Sequence, residues 1–548
     1  MFKKNKKNQI KNFFSNSVAI IFGLLILIEI ITLKFPSFGR LGMCLWLLSW
    51  FCLIVFTIKT LWQDLAIKTL HKKIIFTPVI VVFLLANLLF NILTFPGLSK
   101  ESTQEIGQTI NHITKSLDAG FKQTTFLGYP TRQFYLPSLF SLAKRALPLL
   151  RFGNSLYYIL GIIIFSSGFL RFYKFNRTGD LLCSILLILP FHSHHLNFLY
   201  FYLEQAFYPF GLGMIAVGLL LHYLSKPEKH VLLLMALVNL FLISSYTTTL
   251  AIFCLAITVE IGLLFSRKVS QEQKKYIICI VIFSLLSFIL SFFYRQDIRI
   301  LDNRSPATPD LLKQLTRAFQ LVIFSQDKAF ISSLANLPFL FILLYSLFSG
   351  WQSALVVFWV ISVFLFSVAS YGYGFYDVHY RLYRLTIIFP VIFALFAIKL
   401  KNLLKTDNKG IFLPLFLMLL IFFMTGYHHH TSYRKSQPVS QDYLLIKFMR
   451  DNQKLKKELN NVKKAYFVGH YRQDFISIYD AFQYFFPNLK TINTYDLPPN
   501  CLFTPKGLLF ISSDNDCYAH FQQKSSKQLT AYSYQQAGDK KLLIILNQ

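Results

Sequence analysis

The chain reads as a polytopic α-helical membrane protein ending in a small α/β domain, and three observations carry that reading. Hydrophobic residues make up 54% of the 548 residues, charged residues only 15%, and Phe occurs 59 times. With a mean hydropathy of +0.48, the chain is more apolar than the surface of a water-soluble protein of this length can carry. Apolar runs of membrane-crossing length recur over residues 1–435. From residue 436 onward the composition changes to short apolar runs on a polar, Lys-rich background.

A spanning helix needs about 20 mostly apolar residues, and that criterion gives about thirteen candidates. They are 17–34, 41–59, 75–94, 156–171, 180–193, 205–224, 231–246, 248–266, 276–294, 330–349, 352–370, 383–400 and 411–427. The first follows a basic region, but it is long for a signal peptide and lacks a small-x-small cleavage site, so it reads as a retained helix. With the N-terminus in the cytoplasm, the Lys- and Arg-rich loops alternate correctly. Lys68, Lys72 and Lys73 fall inside, then Arg171, Lys174 and Arg177, then Lys226 and Lys229, then Arg267, Lys268, Lys274 and Lys275, then Lys401, Lys405 and Lys409. The net charge of +30 is thus explained by topology, and nucleic acid is not implied. The same parity puts outside the long loop 95–155, the loop 295–329, the short loops 191–204 and 371–382, and everything after Tyr427.

The exported segment 436–548 predicts a helix at 441–458, a strand at Ala465–Val468, a helix at 474–485, a buried strand at 507–512 and a hairpin of 530–535 with 541–547. Cys44, Cys52, Cys183, Cys254 and Cys279 fall in apolar stretches, where a thiol behaves as a small hydrophobe. Cys501 and Cys517 are the only exported cysteines and flank the 507–512 strand. An oxidising compartment favours a disulfide between them.

The exported loops carry the candidate chemistry. Glu101 and Glu105 stand at i,i+4, which on a helix gives both carboxylates one face. They suit a general base or a metal ligand, and a solvated helix face accounts for them equally well. Asp118 and Tyr129, within Gly128-Tyr-Pro130, follow in the same loop. The stretch 135–150 has helical spacing but is broken by Lys144, Arg145 and Pro148, so it is expected to lie in the membrane interface. Cations also occur outside, where topology does not call for them: Lys122, Arg132, Arg151, Arg295, Arg299, Arg304, Arg381 and Arg384 join Lys144 and Arg145. An arginine fork grips phosphate bidentately, although contact with lipid headgroups explains any single one as well.

The segment Tyr371–Arg384 concentrates five tyrosines and a Phe with Asp377, His379, Arg381 and Arg384. Tyr376 and the other tyrosines fit an interfacial aromatic belt. Arg384 does not, because it falls just inside a spanning helix, where charge is costly. The clusters His192/His194/His195 and His428/His429/His430 lack the paired spacing with an acid that a helical zinc site shows, so polar interfacial contact is favoured over metal there. No Gly-rich nucleotide motif and no Ser-His-Asp order is present.

Taken together, these segments resemble the multi-spanning GT-C glycosyltransferases, among them the protein mannosyltransferase and lipid A aminoarabinose transferase families. The likeness rests on a spanning helix followed by a large acidic outer loop, then Gly128-Tyr-Pro…Tyr135-Leu-Pro-Ser-Leu139, then Arg151-Phe-Gly-Asn-Ser155 entering the next helix. Pro190–Leu196 through Tyr200 is similar to the second outer loop of those proteins, and Tyr380-Arg-Leu-Tyr-Arg384 before Pro390 to the Arg-Tyr…Pro pattern of a late helix. The resemblance covers about residues 75–430. Two helices precede the usual first one, and the Asp or Asp-Glu that commonly follows the opening helix is replaced by the later Glu101 and Glu105.

The resemblance implies a GT-C-like helix bundle in a bacterial inner membrane. It implies a polyprenyl-phosphate sugar donor, surrounding lipid, and a glycan, lipid or protein acceptor approaching from the extracytoplasmic side. Glu101, Glu105 or Asp118 would activate the acceptor. Arg132, Arg381 and Arg384 would hold the donor phosphate, with Tyr129, His195, Tyr376, Asp377 and His379 lining the cavity. The sequence assigns no definite cofactor, and a divalent metal is the one group it leaves open. The competing readings are a secondary transporter or lipid flippase, which predicts charges deep in several helices and internal repeats, and a non-catalytic scaffold. Glu260 is the one clear acid well inside a helix, and no repeat is present.

Overall fold

A computed structural model describes residues 39–65, 125–126, 129–130, 135–143, 147–172, 207–243, 249–267, 269–294, 441–459, 462–468, 488–494, 507–512, 517–528, 530–535 and 541–547, with a few isolated positions. The first long helix, α1, spans Gly39–Leu65. Among the described residues, Arg40–Thr60 and Pro148–Phe172 are the helical stretches long and apolar enough to cross a membrane. Hydroxyls in these helices turn back on their own backbone. Ser49 Oγ donates to the Leu45 carbonyl at 2.8 Å, Thr57 Oγ1 to Leu53 at 2.7 Å and Ser155 Oγ to Arg151 at 2.7 Å. Hydrocarbon offers them no other partner.

In the long loop, β1 (Thr125–Phe126) and β2 (Tyr129–Pro130) pair antiparallel. Helix α2 (Tyr135–Ala143) follows, and α3 runs from Leu147 to Phe172. The stretch 135–150 is thus divided between two helices, and the helix expected from about 156 begins at Leu147. Pro148 sits in the first turn of α3, where its missing N–H is not needed, so the proline that interrupts the pattern is a helix start. Helix α2 packs on α3 at Gly153, where an added Cβ would meet Pro137 Cα at 2.8 Å.

The tightest packing joins α3 to α4 (Phe207–Ser225). A Cβ on Gly211 would stand 2.2 Å from the Tyr157 carbonyl oxygen, and one on Gly218 would stand 2.6 Å from the Phe165 nitrogen. On the facing helix, Gly161 meets Gly211 and Gly168 meets Gly218. Small residues let two backbones touch where no hydrophobic force drives helices together. The contacts advance in the same direction on both helices, so α3 and α4 are parallel. The expected crossing at 180–193 lies outside the described residues.

Helices α5 (Lys229–Ile243), α6 (Thr249–Leu264) and α7 (Gln271–Tyr294) complete the described bundle. A reciprocal cap opens α7: Gln273 N donates to Ser270 Oγ at 3.3 Å and Ser270 N to Gln273 Oε1 at 2.9 Å. Gln273 Nε2 also reaches the Leu224 carbonyl at 3.1 Å, which places the start of α7 beside the end of α4.

In the C-terminal segment the expected helix 441–458 is two, α8 (Gln441–Asp451) and α9 (Gln453–Leu459). Asn452 divides them and its Oδ1 accepts from Leu455 N at 3.1 Å. Strands β3 (Lys464–Val468), β4 (Lys490–Thr494), β5 (Gly507–Ser512), β6 (Thr530–Gln535) and β7 (Lys541–Asn547) form one sheet in the order β4-β3-β5-β7-β6. Its first three strands are parallel and its last two antiparallel. Leu508, Leu509, Phe510 and Ile511 are all buried, so β5 is covered on both faces. Helix α10 (Tyr518–Gln528) packs on β6 and β7, with Phe521 in a core of Tyr466, Leu509, Ile511, Leu543 and Ile545. The expected helix 474–485 lies outside the described residues except for Phe485, whose ring has the Arg450 guanidinium 5.6 Å above it.

Candidate functional site

The described bundle has two polar ends. At one, α1, α2 and α3 build an aromatic wall: Trp46 lies 5.7 Å from Trp50, 5.4 Å edge-on to Tyr135 and 6.2 Å from Tyr157, and Trp50 lies 4.8 Å from Tyr157. Trp46, Tyr135 and Tyr157 are fully buried. Tyr157 keeps its hydroxyl satisfied by accepting from the Leu136 backbone N–H at 3.2 Å, which ties α2 down onto α3. Arg151 belongs to the same end and is only 3% exposed. A buried guanidinium is expensive unless engaged, so Arg151 is the described member of the outer basic set with the strongest claim to a role.

At the other end, the last turns of α1, α3 and α4 meet the first turns of α5 and α7. Arg171 Nη2 donates to the Thr60 carbonyl at 3.2 Å. His222 is 4% exposed, hydrogen-bonds the Ile164 backbone and receives the Phe56 ring edge-on at 5.3 Å. Glu228 bridges Lys226 and His230, the latter at 3.1 Å. Its hydrogen bond to Lys226 holds the Glu228 carboxyl below the ordinary carboxylate range. Arg151 and Arg171 are separated by about 30 Å along α3 at 1.5 Å per residue, which matches the hydrocarbon thickness of a bilayer.

Between the two ends sits a polar cluster inside the bundle. Asn239 Nδ2 on α5 stands 3.0 Å from Ser284 Oγ on α7 and donates toward Glu260 Oε1 on α6 at 3.3 Å. All three residues are buried. The sequence singles out Glu260 but gives no sign of its partner, because Asn239 stands 21 residues from Glu260 and 45 from Ser284 along the chain.

Of the residues expected in the site, Tyr129 lies in β2, its backbone paired with Phe126. Glu101, Glu105, Asp118, Arg132, His195, Tyr376, Asp377, His379, Arg381 and Arg384 lie outside the described residues. Cys517 is disulfide-bonded, with its partner also outside them. The aromatic wall escapes the sequence reading altogether. The i,i+4 pair Trp46 and Trp50 was its one visible sign. Among the described residues no group of three or more His, Cys, Asp or Glu gathers to hold a metal.

No protein-family model matches the chain, and no curated protein sequence does. Solved structures do share its fold. They include ArnT from Cupriavidus metallidurans in the apo state and the same protein bound to undecaprenyl phosphate, each 10% identical with a TM-score of 0.50, covering 85% of this chain and 97% of that one. The chain therefore shares the overall fold of ArnT over most of its length.

Proposed function

We propose that the protein is an integral membrane glycosyltransferase that moves a sugar from a polyprenyl-phosphate donor to an acceptor on the extracytoplasmic side. The observation that carries the reading is the shared fold with a protein whose solved structure holds undecaprenyl phosphate. The two ends of the described bundle support the orientation. The end that gathers Arg171, Lys226 and the start of α7 is built from the loops that the positive-inside rule assigns to the cytoplasm. The opposite end, with Arg151 and the aromatic wall, then faces the exported side.

In this reading the acceptor hydroxyl oxygen attacks the anomeric carbon of the donor sugar. Glu105 or Glu101 takes the hydroxyl proton, with Asp118 next in line. The bond from the anomeric carbon to the phosphate oxygen breaks, and its electron pair leaves on polyprenyl phosphate. Arg381, Arg384 and Arg132 stabilise that charge, while Tyr129, His195, Tyr376, Asp377 and His379 shape the cavity. A sugar delivered on a lipid accounts for the lack of a nucleotide-binding motif.

A transfer assay with lipid-phosphate sugar donor tests the roles. Glu105→Gln or Glu101→Gln should lower the rate by about 10²–10⁴-fold, whereas Arg384→Ala should chiefly weaken donor binding. Full transfer by both Glu variants would move the base elsewhere. The buried Glu260 with Asn239 and Ser284 is the one observation that favours the transporter or flippase reading, which an assay of lipid movement without sugar transfer would reveal.

A further inference from the structure

We propose that the basic end of the bundle holds a second ligand site, a phosphate-binding cavity at the opposite end of α3 from Arg151. Phe56, Lys59 and Thr60 of α1 form one wall, and Arg171 of α3 with His222 of α4 forms another. Lys226, Glu228 and His230 of the α4–α5 turn make the rim. Three cations thus line the opening against one carboxylate.

The positive-inside rule alone explains cations near this end but not their convergence on a shared cavity. Lone loop lysines are free to extend separately into water. Here the helix-end carbonyls are already capped: Arg171 serves Thr60, while Lys226 N and Ser225 Oγ serve His222 at 2.9 Å and 2.8 Å. The rim carboxylate is committed to Lys226 and His230. Lys59, exposed on α1, also acts on Glu228 electrostatically, so three basic side chains face one carboxylate and positive charge is in excess at the rim.

His222 supplies the second, independent sign. It lies in the cavity wall at 4% exposure, yet its Nε2 has no hydrogen-bond partner among the described residues. A buried polar atom without a partner carries a desolvation cost that a ligand would relieve. A phosphate group fits the whole set. Its anionic oxygens suit the cations, and Nε2 can accept from the P–OH of inorganic phosphate or a monoester, while a diester would be held by the cations alone. The imidazole position is fixed by close packing, because a Cβ on Gly168 would come within 3.1 Å of His222 Cδ2 and 2.4 Å of the Gly218 carbonyl oxygen.

The phosphate could come from a lipid headgroup or from solution, and one experiment separates the two. Delipidated full-length protein and a Lys59→Gln/Lys226→Gln variant are equilibrated with radiolabelled inorganic phosphate and, separately, with short-chain phosphatidylglycerol or phosphatidylcholine micelles. Both lysines are exposed, so the exchange spares the bundle core, and a matched thermal melt confirms the fold. The expected result is retention by the wild type that weakens about three- to tenfold in the variant, the range for two exposed charge contacts. Retention of inorganic phosphate identifies a solution anion, and retention of phosphatidylglycerol alone identifies a headgroup. Retention of neither ligand by the wild type, or equal retention by both proteins, overturns the proposal. Because the readout is binding at this end, it is independent of whether sugar transfer occurs.

Discussion

Replacing Gly211 by Ala tests whether α3 and α4 touch as described. The added Cβ would lie 2.2 Å from the Tyr157 carbonyl oxygen and 2.6 Å from its carbonyl carbon. Both are backbone atoms in the middle of a helix and cannot swing aside, so the helices must separate by more than an ångström. Overpacking of this kind costs about 1–3 kcal/mol, against which the better helix propensity of Ala returns about 0.5–1 kcal/mol. The net effect is destabilising. Gly262 in α6 gives the matched control, since nothing stands within 4 Å of a Cβ there; Gly262→Ala should be neutral or mildly stabilising. Thermal unfolding of both variants in the same detergent, followed by tryptophan fluorescence, measures the contrast. If Gly211→Ala melts at or above the wild type, or if Gly262→Ala is the more damaging of the two, the close parallel packing of α3 and α4 is wrong.

Other outcomes follow from single contacts. Tyr157→Phe removes the acceptor of the Leu136 N–H and should cost about 1 kcal/mol, visible as a lower melting temperature with transfer activity measured alongside. Cys501 and Cys517 should pair; closing a loop of about 16 residues stabilises by about 3 kcal/mol on the chain-entropy estimate, and finding both thiols open to alkylation in unreduced protein would refute the pairing. A reporter active only after export, fused after Gln548, should be active; a signal from a cytoplasm-only reporter there would reverse the topology. Glu228→Gln should lose its stability deficit against the wild type as pH falls, because a carboxyl held below its ordinary value contributes above that range and stops contributing once protonated.

Apolar length made the described bundle helices legible, and the structure shifts their ends by only a few residues in most cases. The exception is α3, where Pro148 reads as a break in a linear pattern but serves as a helix start in three dimensions. The glycines at 161 and 168 and at 211 and 218 share a seven-residue spacing that is plain in the sequence. Which helix each pair faces is a tertiary fact that spacing cannot supply. In the C-terminal segment, β5 and the hairpin of β6 with β7 stand where β-branched and apolar runs predict them. Strand β4, Lys-Thr-Ile-Asn-Thr, was missed because an edge strand needs little apolar content to pair. Helix α10 was missed because its Gln-, Lys- and Ser-rich sequence carries only Phe521 into the core. Arg151 was visible as one outer cation among ten and as the first residue of the Arg151–Ser155 segment entering a helix. Its burial, which sets it apart, depends on α2 folding back over the start of α3.

Sugar transfer from a lipid-phosphate donor is the activity on which every proposed residue role depends. Purified protein in nanodiscs, supplied with polyprenyl-phosphate sugar labelled in both the sugar and the lipid phosphate, separates transfer from transport. The account predicts acceptor-dependent release of polyprenyl phosphate in step with loss of the sugar from the lipid. Donor that stays intact whatever acceptor is offered, while moving from one leaflet to the other, would contradict it.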